Sequence, residues 1–171
     1  LFLAQEPGVV EAEVNLGVAL AHEGQLDEAI KQYRLALPSI KDKNAVVLNL
    51  ALAYYKKRDW EDAQTEFEVL HKTQPDDARV ALLIGDCNLH LGKNAETVAL
   101  MSPLEAANSQ NPDFDFVLAS ALIKTNQQRK GASLMEKSAT LGNSADAYMI
   151  AGSTLLALNE FDQARHNLDT A

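Results

Sequence analysis

Few residues in this 171-residue chain have the chemistry of a reactive site, and they are scattered along it. The candidates for metal ligation, proton transfer or nucleophilic attack are His22, His71, His90, His166 and one cysteine, Cys87. Asp86 and His90 are four residues apart, so a helix places both on one face where they could share a cation. Two donors without a third make a poor metal site, and the pair reads instead as solvated or groove-lining. No zinc spacing, Gly-rich phosphate loop or nucleophile elbow is present. The acidic runs from Asp59 to Asp62 and from Gln74 to Asp77 read as the solvated starts of helices. A single cysteine excludes an intramolecular disulfide, and its place two residues after Gly85 predicts a buried structural thiol. The sequence therefore calls for no catalytic residue, no metal and no cofactor, and the chain reads as a non-enzyme.

The elements that would carry any other function are legible from a repeat. A small residue recurs at Gly17, Ala51, Gly85, Ala119 and Gly152, at successive offsets of 34, 34, 34 and 33. Three residues after each stand Leu20, Tyr54, Asn88, Leu122 and Leu155, of which only Asn88 is polar. A second small–bulky pair follows in every period: Ala29/Tyr33, Ala63/Phe67, Thr97/Met101, Gly131/Met135 and Ala164/Leu168. Antiparallel helices approach closely only where one presents a small side chain to a bulky one on the other. One such pair cannot bury its apolar stripe alone, so successive pairs must stack.

Within the period from Asn44 to Asp77 the pattern is Val47-x-x-Leu50-Ala51-x-x-Tyr54, then Ala63-x-x-x-Phe67, then Pro75. This resembles the tetratricopeptide (TPR) repeat. The resemblance spans nearly the whole chain and implies an all-α fold, a right-handed superhelical α-solenoid of antiparallel helix pairs. The expected organisation is a single array: 1–9 as the tail of a preceding repeat closed by Pro7, repeats at 10–43, 44–77, 78–111 and 112–144, and an incomplete last repeat at 145–171. The first repeat is expected to carry helices at about Val10 to Glu23 and Leu26 to Leu37, the second truncated by Pro38. Gly24, Gly92, Asn126 and Asn159 occupy the turn position of their repeats; Arg58 occupies the equivalent one, where a left-handed residue is costly, so a different turn is expected. Pro103 predicts a kink near Leu100 to Pro103, and Pro112 fits a first helical position.

A formal net charge of −9 argues against nucleic acid or an anionic membrane as the partner. No apolar run reaches membrane-spanning length. The chain is expected to be soluble, with its compartment open, because any signal sequence would lie outside this segment.

The resemblance also implies where partners bind. In that family the first helix of each repeat lines the inner face, three before, one after and four after the small residue. Here those positions are Val14, Val18 and Ala21; Leu48, Leu52 and Tyr55; Leu82, Asp86 and Leu89; Phe116, Ser120 and Ile123; Met149, Ser153 and Leu156. Asn15 and Asn49, two before it, suit an extended peptide backbone. The Lys/Asn/Arg clamp that some members use for a carboxylate is matched only at Asn49 and Arg79, so a chaperone-tail clamp is not expected. A protein partner of unknown identity, offering a peptide or amphipathic helix to a mostly apolar groove, fits better. A regulatory or substrate-recruiting arm of a larger enzyme is the alternative. Head-to-tail self-association is a further one, with Leu1-Phe2-Leu3 of one copy meeting Tyr148, Leu155 and Leu168 of the next.

Overall fold

The computed structural model describes residues 7–171, which form ten α-helices and no strand among the described residues. They gather into two compact units divided between Pro75 and Asp76, where the sequence pattern showed no internal boundary.

The first unit holds α1 (Pro7–His22), α2 (Leu26–Ala36), α3 (Asn44–Lys57) and α4 (Trp60–Thr73). α1 lies against α2, α2 against α3 and α3 against α4. Gly17 is the point of closest approach in the first pair, since a Cβ there would stand 2.6 Å from the Tyr33 ring. Ala29, Tyr33, Leu50, Ala51, Ala63 and Phe67 form the buried seams, with Ala29, Ala51, Ala63 and Phe67 fully enclosed. Pro7 opens α1, whereas the repeat pattern predicts that it closes a preceding helix; a proline at a first position loses no helical hydrogen bond. The expected segment Leu1 to Glu6 lies outside the described residues.

Arg58 corrects the turn expected of it. It is left-handed, at φ 66°, like Gly24, Gly92, Asn126 and Asn159. Its N–H donates to the Tyr55 carbonyl at 3.0 Å and the Asp59 N–H donates to the Tyr54 carbonyl at 3.0 Å. These bonds satisfy the open carbonyls at the end of α3, and they offset the steric cost of a Cβ at positive φ.

The second unit holds α5 (Ala78–His90), α6 (Asn94–Met101), α7 (Pro112–Lys124), α8 (Gln128–Gly142), α9 (Ala145–Ala157) and α10 (Phe161–Thr170). Its main core joins Met101, Phe114, Leu118, Leu122, Met135 and Ala139, all fully enclosed, with α9 adding Ala147 and Ala151. A smaller cluster of Ala132, Leu155 and Ala164 holds the last pair. Thr97, standing where other repeats have Ala or Gly, is fully buried, and its hydroxyl lies 3.3 Å from the Gly85 carbonyl oxygen of the facing helix. Pro103 does not kink a helix: α6 stops at Met101, and two 3-10 turns succeed it, Ser102–Leu104 and Ala106–Asn108. Lacking an N–H for the Ala99 carbonyl, Pro103 ends the helix where a longer one would have bent. Pro112 takes the first position of α7, and the Asn111 side chain caps that helix by accepting from the N–H groups of Asp113 and Phe114.

Candidate functional site

The second unit carries a groove of about 470 Å³ across the faces of three first helices, α5, α7 and α9. α5 supplies Asp86, Leu89 and His90; α7 supplies Phe116, Ser120, Ile123 and Lys124; α9 supplies Ile150. Leu89, Phe116 and Ile123 are half-buried and rest on the core beneath. Ile150 is 36% exposed. The walls are therefore anchored apolar side chains with one face left open.

Close backbone packing sets the position of Ile123. A Cβ on Gly131 of α8 would stand 2.6 Å from Ile123 Cγ1 and 2.9 Å from its backbone nitrogen. Glycine at that site lets α8 press α7 from behind and hold Ile123 in the wall. Ser120 donates its hydroxyl to the Phe116 carbonyl at 2.8 Å, which leaves the oxygen lone pairs as acceptors. Asp86 Oδ2 lies 3.7 Å from His90 Nε2. Behind this pair Cys87 is fully enclosed, and burial, then the charge of Asp86, pushes its thiol up to about 12. Among the described residues, no group of three or more His, Cys, Asp or Glu side chains could hold a metal ion. No helix among them is long and apolar enough to cross a membrane.

Of the residues expected at the inner face, Asp86, Leu89, Phe116, Ser120 and Ile123 lie together in this groove. Leu82 is half-buried beside them on α5, resting on the same core. Met149 and Leu156 stand on α9 and are 50% and 49% exposed. In the first unit Val14 and Val18 on α1 are half-buried and Asn15 is exposed. On α3, Leu48 is 36% exposed, Asn49 and Leu52 are half-buried, and Tyr55 meets Trp60 edge-on at 5.3 Å and Phe67 at 6.3 Å. Lys124 and Ile150 line the groove but were not among the residues singled out from the sequence. Each had a signal: Lys124 follows Ala119 by five as His90 follows Gly85, and Ile150 precedes Gly152 by two as Asn15 and Asn49 precede theirs.

Of the three residues expected to receive a second copy, Leu155 is buried and Tyr148 and Leu168 are half-buried. Leu155 is 2% exposed in the cluster with Ala132 and Ala164. Leu168 packs on Gly152, 2.7 Å from where a Cβ would be, and the Tyr148 hydroxyl lies 3.0 Å from Thr140 Oγ1. Of the exposed large apolar side chains on the last helix pair, Phe161 is the most open, at 61%, ahead of Met149 and Leu156. On α8, three basic residues are each tied to a carboxylate: Arg129 to Glu160, Lys130 to Glu105 at 2.9 Å, and Lys137 to the buried Asp115 at 2.7 Å.

Comparison with known proteins adds a family and a fold. A family profile described as Tetratricopeptide repeat matches residues 2–45 and 48–112, well over half of the chain. A comparison with curated protein sequences found no match. Among solved structures, MamA (41-end) from Desulfovibrio magneticus RS-1 superposes with a TM-score of 0.85 at 16% identity, over 94% of this chain and 91% of that one. A second structure, described as a MamA protein, gives 0.86 at 17% identity over 94% and 88%. A double mutant, MamA RS-1 ArsTM, gives 0.87 at 16% identity over 94% and 91%.

Proposed function

The chain belongs to the tetratricopeptide repeat family, and from that premise we propose that it is a non-catalytic scaffold that binds a segment of a protein partner on its first helices. The observation that carries this reading is the groove in which Leu89, Phe116 and Ile123, anchored on the core, keep an apolar face open beside the exposed Ile150. Apolar surface held open in a preformed cleft gains free energy when a partner covers it, at about 25 cal/mol per Å² removed from water. Leu48 on α3 offers a comparable exposed apolar contact in the first unit.

The test is a pull-down comparing the native chain with the double variant Leu48→Glu/Ile150→Glu. Both positions are 36% exposed, so the helical content by circular dichroism is expected to be unchanged. Partners retained only by the native chain support the groove reading. Identical partner profiles would sink it.

Association between copies is a second reading, favoured by Phe161, whose ring stands 61% exposed at the start of α10. Sedimentation velocity across a hundredfold concentration range is expected to show species larger than a monomer that Phe161→Ser removes. A strict monomer at every concentration would rule this reading out.

A further inference from the structure

The first helix carries an apolar face that its counterparts keep covered. One before and two after the small residue stand Leu50 and Ala53 on α3, and Leu118 and Ala121 on α7; Ala151 stands one before it on α9. All five are buried, at most 1% exposed. Each of these helices lies against the second helix of the repeat before it: α3 against α2, α7 against α6 and α9 against α8. On α1 the same places hold Leu16 and Ala19, and both are exposed, Leu16 at 49%. Ala12, also exposed, and Val9, 48% exposed, extend the row. Spacings of three, four and three put these residues on one stripe of the helix. Alanine on either side of Leu16 lets a neighbouring helix come close.

The internal contacts define what such a face takes: a second helix whose own outward face is open. α10 is such a helix. Three before its small residue, Ala164, stands Phe161, 61% exposed, where the corresponding Leu26 of α2 and Gln128 of α8 are half-buried. One after it stands Arg165, exposed, where Ile30 of α2 and Ala132 of α8 are buried. Ala132 is covered in a cluster with Leu155 of α9. The aliphatic stem of Arg165 can lie along apolar surface while its guanidinium stays near Asp169, 3.5 Å away. The open faces of α10 and α1 are thus the two halves of a contact that the chain makes internally between α2 and α3 and between α8 and α9.

Resting on the reading of association between copies given above, we infer that a second copy of this chain covers α1, its α10 lying along Val9, Ala12, Leu16 and Ala19 with Phe161 packed against them. The contact joins unlike faces, so each copy offers α10 and receives on α1.

Sedimentation velocity on Leu16→Glu, on Phe161→Ser and on their equimolar mixture tests this. Each variant alone is expected to associate about tenfold more weakly than the native chain, or less still. The mixture is expected to form a dimer and nothing larger, because one variant retains the α10 face and the other the α1 face. Both side chains are exposed in the native chain, so unchanged thermal midpoints serve as the control for folding. Association that survives Leu16→Glu but not Phe161→Ser would overturn the inference and leave association through Phe161 standing. A mixture that stays monomeric would also overturn it, since the two faces would then not be complementary. A native chain that is monomeric at every concentration would overturn both readings and leave the α1 face to a helix of another protein.

Discussion

At the residue scale, environment decides what the scarce reactive groups do. Cys87 has no exposed surface, and its thiol is held up at about 12, so the thiolate that would react is absent near neutral pH. Iodoacetamide is expected to leave Cys87 unmodified in the native chain and to alkylate it fully in denaturant, as intact mass would show; rapid native labelling would mean that α5 opens. Asp77 caps α5, accepting from the Arg79 N–H at 2.9 Å, and the Arg79 guanidinium at 2.8 Å holds its carboxyl below its ordinary value of 3.8. A lowered pKa in the folded chain contributes stability that is fully present above the ordinary value and lost as pH falls through the lowered one. Asp77→Ala is therefore expected to cost about 1 kcal/mol at neutral pH, the usual worth of such a cap. The gap from the native chain should close as pH falls below 3.8. Urea melts of the two chains at pH 7 and pH 3 check this, and an equal gap at both would disprove it.

At the element scale, small residues set how closely helices approach, and one of them reaches the groove. At Gly131 the obstacle to a Cβ is backbone as well as side chain: the Ile123 nitrogen at 2.9 Å and the Ala119 carbonyl oxygen at 3.0 Å. At Gly85 the nearest atom is the flexible end of Met101, at 2.5 Å. Gly131→Ala is expected to destabilise by about 1–3 kcal/mol, and to shift the amide resonances of Ile123 and Lys124. Gly85→Ala should cost less, since Met101 can turn aside. Chemical denaturation with a heteronuclear NMR map checks both, and equal costs with an unmoved Ile123 would refute the argument. Pro103 belongs to the same scale. A proline is legible in sequence, but whether it bends a helix or ends it depends on the conformation of the residues after it, and here two 3-10 turns take up the chain.

At the scale of the whole molecule, acidic residues outnumber basic ones in each unit, 12 to 8 in residues 1–75 and 12 to 7 in residues 76–171. The clustered cations Arg129, Lys130 and Lys137 are already paired with carboxylates. The net negative charge of each unit disfavours long-range attraction of a polyanion. The chain is expected to pass unretained through heparin at 150 mM salt, a concentration that already screens exposed charges beyond about 8 Å; retention would reveal a basic surface that the ion pairs conceal.

What the sequence determined by itself was the local pattern. The 34-residue recurrence of Gly17, Ala51, Gly85 and Ala119 needs only helical periodicity and the size of side chains, and both are written in the residues. The resemblance to the TPR family, applied to that spacing, put Asp86, Leu89, Phe116, Ser120 and Ile123 on one list of candidates. Tertiary structure alone decided which candidates share a cleft, because that depends on how α5, α7 and α9 lie beside one another, and it brought in Lys124 and Ile150. It decided that Leu155 and Leu168 serve the last helix pair and leave Phe161 open, since burial is a property of neighbours and not of residue type. Arg58 shows the same limit. Its steric preference argued for another turn, and the hydrogen bonds closing α3 outweighed that preference once the chain had folded.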